Sequence, residues 1–267
     1  MRPFIQRGAH RSRVGQCLAW LILAAIILDQ LAFAESDPLL GKLLLQPAVQ
    51  QRQPAGSMML AASTAGKRIV AVGEQGAVLM SDDNGLTFRQ ASGVPVRTQL
   101  NGLHFVDDPT GWAVGHGGLI LRTGDGGEHW RVQRSDFDVD RPLFSVYFRN
   151  RNEGWAVGLW SLMLHTTDGG KSWSGVTLPA LPDGRRADLN LFSLFADAGG
   201  NLFVAGERGM VLRSTDGGKT WGYVATGYQG SLWAGAAVDD GTLLVGGLRG
   251  ALYRSIDAGT HWTAVES

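Results

Sequence analysis

The sequence predicts an all-β chain folded as a β-propeller of four-stranded antiparallel blades, with five repeats visible. Three observations carry this. An eight-residue pattern, Ser/Thr-x-Asp-x-Gly-x-x-aromatic, occurs five times: Ser81 to Phe88, Thr123 to Trp130, Thr166 to Trp173, Ser214 to Trp221 and Ser255 to Trp262. Its closing aromatics are spaced 42, 43, 48 and 41 residues apart, the period of a propeller blade. The chain is also rich in glycine and tryptophan, with 38 Gly and 9 Trp, which suits many short strands joined by tight turns.

The first 34 residues read as an exported leader. Arg2, Arg7, Arg11 and Arg13 form a positive region, Leu18 to Leu28 is apolar, and Ala32-Phe33-Ala34 is a small-x-small cleavage pattern. The apolar run is short for a membrane span and is interrupted by Asp29. Cleavage before Glu35 would remove Cys17, the only cysteine, so no disulfide is available to the mature chain. Lys plus Arg and Asp plus Glu are both 24, giving zero net charge. That balance provides no field for nucleic acid or an anionic membrane.

Residues 35–56 are a mixed lead-in with room for one outer strand, and 57–267 form the propeller domain. Each unit there holds four strand-like pieces. The first is apolar and tolerates glycine (Met58 to Ser63, Leu100 to Val106, Leu143 to Phe148, Leu189 to Phe195, Leu232 to Val238). The second is Ile69 to Gly73, Trp112 to Gly115, Trp155 to Gly158, Leu202 to Gly206 and Leu243 to Gly247. A two-residue turn between glycines follows, as in Gly73-Glu74-Gln75-Gly76 and Gly206-Glu207-Arg208-Gly209, because hairpin turns need positive φ. The third strand leads to the octapeptide, whose aromatic opens the fourth.

The octapeptide has a turn chemistry of its own. A carboxylate can accept backbone N–H groups inside the turn, glycine takes the left-handed residue, and the aromatic packs on the flank. Asp83, Asp125, Asp168, Asp216 and Asp257, with Trp130, Trp173, Trp221 and Trp262, are therefore read as scaffold and not as catalytic groups.

This octapeptide is the Asp-box, or bacterial neuraminidase repeat. The longer pattern around it, Gly111-Trp112-Ala113-Val114-Gly115 then Gly118 to Thr123 then Asp125-Gly126-Gly127 and Trp130, resembles the photosystem II stability/assembly-factor family, and it recurs at Gly154 to Gly158 with Thr166 to Trp173. The resemblance covers about 57–267. It implies a non-enzymatic protein-binding propeller that assists assembly of a membrane complex, in the thylakoid lumen of oxygenic phototrophs. In other bacteria it implies an exported, periplasmic relative, some of these standing beside membrane transporters. Members usually have six or seven blades, so five repeats imply a small or incomplete ring. A closed or nearly closed one is expected, to which the lead-in could add a strand.

Function is then sought where the repeats differ. Repeat three replaces the glycine-flanked turn with Gly158-Leu159-Trp160-Ser161, placing an aromatic at a hairpin tip. Arg208 and Arg249 share one turn position in adjacent repeats, forming a basic patch beside Glu207 and His116. The connection Pro179 to Asn190, with Arg185 and Arg186, is the longest. Expected partners are a membrane-complex subunit or an envelope protein; no nucleic acid, metal, cofactor or small-molecule substrate is expected. The alternative is a carbohydrate-binding or glycoside-hydrolysing, sialidase-like propeller, whose Arg-Ile-Pro motif is absent. Glu74 and Glu207 recur at matching turn positions and read as a turn preference, not a catalytic pair. Asp136, Asp138 and Asp140 alternate like a calcium loop, but Arg141 and Tyr147 stand where glycine and glutamate are needed.

Overall fold

The computed structural model describes residues 45–51, 56–139 and 141–266. All belong to one unit, Pro38–Ser267. The expected leader and the start of the lead-in lie outside the described residues.

Five four-stranded sheets follow one another along the chain, each in sequential order. Blade 1 is β1 (Met59–Ala65), β2 (Arg68–Gly73), β3 (Val78–Ser81) and β4 (Arg89–Gln90). Blade 2 is β5 (Leu100–Phe105), β6 (Gly111–Gly115), β7 (Ile120–Thr123) and β8 (Trp130–Arg134). Blade 3 is β9 (Leu143–Phe148), β10 (Gly154–Gly158), β11 (Met163–Thr166) and β12 (Ser174–Gly175). Blade 4 is β13 (Leu191–Ala196), β14 (Leu202–Gly206), β15 (Met210–Ser214) and β16 (Gly222–Ala225). Blade 5 is β17 (Leu232–Ala237), β18 (Leu243–Gly247), β19 (Leu252–Ser255) and β20 (Thr263–Ala264). All strand pairings within the blades are antiparallel. The predicted all-β propeller of four-stranded blades is thus the observed architecture.

Each second strand reads as an unbroken apolar run, and the structure gives the reason. A blade inside the stack is covered on both faces, so both sets of alternating side chains need burial. All five residues of β6, β10 and β14 are buried. Fourth strands lie outermost; those of blades 1, 3 and 5 are short and mostly exposed.

The core is four clusters, one per blade junction. Val70, Val72 and Met80 of blade 1 meet Leu100, Leu121 and Trp130 of blade 2. Trp112 and Ile120 of blade 2 meet Phe148 and Leu164 of blade 3. Trp155 and Met163 meet Leu191, Leu202 and Leu212, and Phe203 and Val211 meet Leu232, Leu243 and Val245. Trp112 stacks on Phe148 at 3.4 Å between centroids and 7° between planes. Burial pushes His104 down to about 4. Its unprotonated Nδ1 accepts the Phe148 N–H at 3.2 Å across the blade 2/3 junction.

Among the described residues no core cluster joins blade 5 to blade 1. Of the small or incomplete ring implied by five repeats, the described residues show five blades in sequence with no other blade packed on the far face of blade 5, so the closed or nearly closed ring expected above is not seen among them. The lead-in supplies no closing strand over 45–51. It is instead pinned to the blade 1/2 junction by Ala48 N–H on the Val94 carbonyl, 2.9 Å, and by the Gln90 amide on the Val49 carbonyl, 2.9 Å.

Candidate functional site

The five octapeptide turns share one hydrogen-bond circuit. The first-position hydroxyl donates to the aspartate Oδ1 at 2.7 to 2.9 Å. It accepts the N–H of the fifth-position glycine at 2.8 to 3.0 Å. Oδ1 also takes the seventh-position N–H, and Oδ2 takes the seventh side chain, which is Thr87, His129, Ser172, Thr220 or His261. Every aspartate oxygen is thus spent on its own turn, as the scaffold reading requires.

These bonds favour the charged carboxylate. The Thr87, Ser172 and Thr220 hydroxyls, with backbone N–H groups, hold Asp83, Asp168 and Asp216 down at about 2. Asp257 is lowered too, by the His261 N–H and ring. A folded pKa below the unfolded value of about 3.9 contributes stability that is complete above pH ~4 and lost as pH falls towards 2. The thermal midpoint should therefore be flat from pH 7 to 5 and fall between pH 4 and 2. The Asp168→Asn, Asp216→Asn variant should start lower and fall less steeply. An acid limb of unchanged slope in that variant, followed by circular dichroism, would refute the assignment.

The turns also reach outwards. Their fourth-position carbonyl accepts a side chain of the preceding blade at three of the four junctions. Arg68 donates to Gly126 at 3.1 Å, Gln133 to Gly169 at 2.9 Å and Arg213 to Ala258 at 2.6 Å. The octapeptide is a hairpin clasp and a blade-to-blade latch.

The other turn, between the second and third strands, caps the opposite end of each blade. Its two left-handed residues lie one place later than the sequence pattern suggested: Gln75-Gly76, Gly117-Gly118, Trp160-Ser161, Arg208-Gly209 and Arg249-Gly250 all have positive φ. The flanking glycine before it is extended and is needed for close approach. A Cβ on Gly73, Gly115, Gly158 or Gly247 would fall within 2.2 Å of a carbonyl at the start of the first strand.

The predicted site residues all fall in this one class of turn. Trp160 is 58 % exposed and adopts φ 51°, a conformation that costs a bulky residue about 1–2 kcal/mol. Its N–H donates to Asn190 Oδ1 at 3.1 Å. Asn190 in turn donates from Nδ2 and N to the Glu207 carboxylate at 2.8 and 3.0 Å. Ser161, also left-handed, is tied to Leu189 through both backbone and hydroxyl. The long connection therefore ends as a brace that holds the Trp160 turn in its strained shape. Glu207 is part of that brace: its carboxylate is occupied and supports the site instead of facing a partner. Glu74 does the same for blade 1, accepting the Met58 N–H at 2.9 Å, so the recurring glutamates serve the turn. Arg208 is exposed and lies 3.8 Å from Asp188. Arg249 is exposed and has no ion-pair partner among the described residues. His116 is half-buried, its N–H on the Gln99 carbonyl. Of the acidic alternation, Asp136 is held by Arg134 at 2.9 Å, and Asp140 lies outside the described residues.

One set of residues at this end escaped the sequence reading. The first strand of every blade carries a bulge beside the turn, where pairing skips one residue. The skipped residues are Leu60, Asn101, Phe144, Phe192 and Trp233. Asn101 bridges to the Leu143 carbonyl of the next blade at 2.9 Å. Phe144 lies 5.6 Å from Phe192, and Phe192 stacks on Trp233 at 4.7 Å and 25°. The only sequence signal was that one first-strand position varies as Leu, Asn, Phe, Phe, Trp between otherwise similar repeats. The end thus presents an inner aromatic ladder and an outer row of turn tips bearing Trp160, Arg208 and Arg249.

Fold and repeat define a β-propeller whose recurring geometry is structural and whose variable end is exposed, aromatic and basic. The family described as photosynthesis system II assembly factor YCF48 matches residues 90–187, the span of blades 2 and 3. No curated protein matches the sequence. A solved structure of YCF48 bound to a D1 peptide is 18 % identical, with TM-score 0.61 over 82 % of this chain and 72 % of that one. YCF48 from Cyanidioschyzon merolae is also 18 % identical, with TM-score 0.61 over 79 % and 73 %. An ancestral GH74 enzyme is 15 % identical, with TM-score 0.61 over 84 % of this chain and 32 % of the enzyme. Residues 90–187 are thus similar to that family, and the solved structures share the β-propeller fold with this chain.

Proposed function

We propose that this chain is an exported, non-enzymatic scaffold or assembly factor that binds a subunit of a membrane complex through the turn end of blades 3 to 5. The carrying observation is the Trp160 turn: an exposed indole in a left-handed backbone, braced by Asn190 and Glu207, beside exposed Arg208. Strain of this kind persists where the surroundings over-determine it, as at binding sites. An aromatic with arginines is the usual composition of a binding hot spot. The similar YCF48 structure with a D1 peptide supports a protein partner. Placement is periplasmic, or lumenal in an oxygenic phototroph, and in a non-photosynthetic host a membrane transporter is the candidate complex. The GH74 likeness, at 15 % identity, supports a common fold.

The test compares pulldowns from an envelope fraction with the wild-type chain and with the Arg208→Glu, Arg249→Glu double variant. Both arginines are exposed, so the variant should fold with an unchanged circular dichroism spectrum and capture its partner at least tenfold less. Equal capture by both would remove the patch from the reading, and a hit on a glycan array would favour carbohydrate binding instead.

A further inference from the structure

At the octapeptide end of the blade 2/3 junction three arginines gather around one carboxylate. Arg122 of β7 lies between Trp112 of β6 and Arg131 of β8 in the strand register. Arg213 has the same place in blade 4, and there its Nε donates to the Ala258 carbonyl of the next octapeptide at 2.6 Å. The matching carbonyl for Arg122 is that of Gly169, and the Gln133 amide already takes it at 2.9 Å. Arg122 is left over. Its Nε is buried with no hydrogen-bond partner among the described residues, and its guanidinium lies over the Trp112 ring at 5.6 Å. Arg151, on the β9–β10 turn of blade 3, donates from Nε to Asp107 on the β5–β6 turn of blade 2, so one ion pair crosses the junction. The other Asp107 oxygen takes the Thr110 N–H at 2.8 Å. Arg131 is exposed and has no ion-pair partner among the described residues. After burial, the Arg131 and Arg151 charges are what lower the Arg122 pKa.

We propose that this cluster is a binding site for a small tetrahedral dianion, phosphate or a phosphate monoester, held by Arg122 and Arg131 and flanked by Arg151. Three guanidinium groups against one occupied carboxylate leave two positive charges uncompensated, in a chain whose net charge is zero. A partly buried charge without a counter-charge is costly, and a dianion cancels both at once. A carboxylate ligand would cancel one. Guanidinium groups also present paired N–H donors that match phosphate oxygens. The Asp107–Arg151 pair already joins blade 2 to blade 3 here, so the bound anion would draw Arg122 into the same junction that Arg213 serves through a carbonyl in blade 4. This is the opposite end of the blades from the Trp160 turn, and the inference does not rest on the partner site proposed above.

The experiment is calorimetric titration of the full chain with inorganic phosphate at low salt and about pH 8, where the ion is doubly charged. Wild type should bind one phosphate with a Kd below about 1 mM. Arg122→Gln and the exposed Arg131→Gln should each weaken binding at least about tenfold, the loss of one charge-assisted hydrogen bond. Without phosphate, Arg122→Gln should melt no lower than wild type, because it removes an uncompensated charge. Excess phosphate should raise the melting point of wild type and leave that of Arg122→Gln in place. The Arg208→Glu, Arg249→Glu variant, altered at the other end of the blades, should bind phosphate as wild type does. Glycerol 3-phosphate that binds as tightly as inorganic phosphate assigns the site to a monoester, and weaker binding assigns it to the free ion. No saturable uptake, acetate binding as tightly as phosphate, or unchanged affinity in both single arginine variants overturns the proposal.

Discussion

Trp112→Ala is expected to cost about 4 kcal/mol, within the range for removing a buried indole. The side chain is fully buried and stacks on Phe148 at 3.4 Å. Its Nε1 donates to Gln133 Oε1 at 3.0 Å, and that same glutamine latches to the Gly169 carbonyl of blade 3. Arg122 also lies over the ring at 5.6 Å. Deletion would therefore empty a cavity at the blade 2/3 junction and release its latch together. Urea unfolding at pH 7 should show a large fall in midpoint. The exposed Trp160→Ala should stay within about 0.5 kcal/mol of wild type. Similar midpoints for the two variants would mean that the junction, and not the single blade, has been misjudged as the stabilising unit.

Gly218→Ala is the second large effect, at about 3 kcal/mol from two sources. The residue sits at φ 82°, where a Cβ costs about 1–2 kcal/mol. The new methyl would also stand 2.7 Å from the Trp155 ring of the preceding blade, adding about 1–3 kcal/mol of overpacking. Trp155 cannot yield easily: His165 stacks on it at 4.8 Å and the Arg149 guanidinium lies 5.0 Å from its ring. Gly222→Ala, four residues on and with open space around its Cβ position, is the control and should be near neutral. Thermal unfolding of the two variants decides the matter. A mild Gly218→Ala would show that the octapeptide glycine serves only its own turn.

The octapeptide was legible as a turn because its bonds are local: Ser214, Asp216, Gly218 and Thr220 lie within six residues of one another. Its second role was not legible. The bond from Arg213 to Ala258 spans 45 residues, and nothing in either residue type announces it. The same holds at the site. Trp160, Arg208 and Arg249 could be singled out by comparing repeats at one turn position. The brace from Glu207 through Asn190 to Trp160 needs a loop from one blade boundary to meet a turn in the blade before it. The aromatic ladder depends on bulges, which skip a residue without leaving a mark in the local pattern.

The residues alone determined the all-β class, the five four-stranded units and the local bonding of the repeated turns, since period, turn chemistry and strand alternation are short-range properties. Whether the stack closes was decided only in three dimensions. Closure depends on a face of blade 5 meeting a face of blade 1, a contact remote in sequence, and Leu252 has the same apolar character whether covered or bare. Its 39 % exposure is set by which described residues pack near it and not by its type.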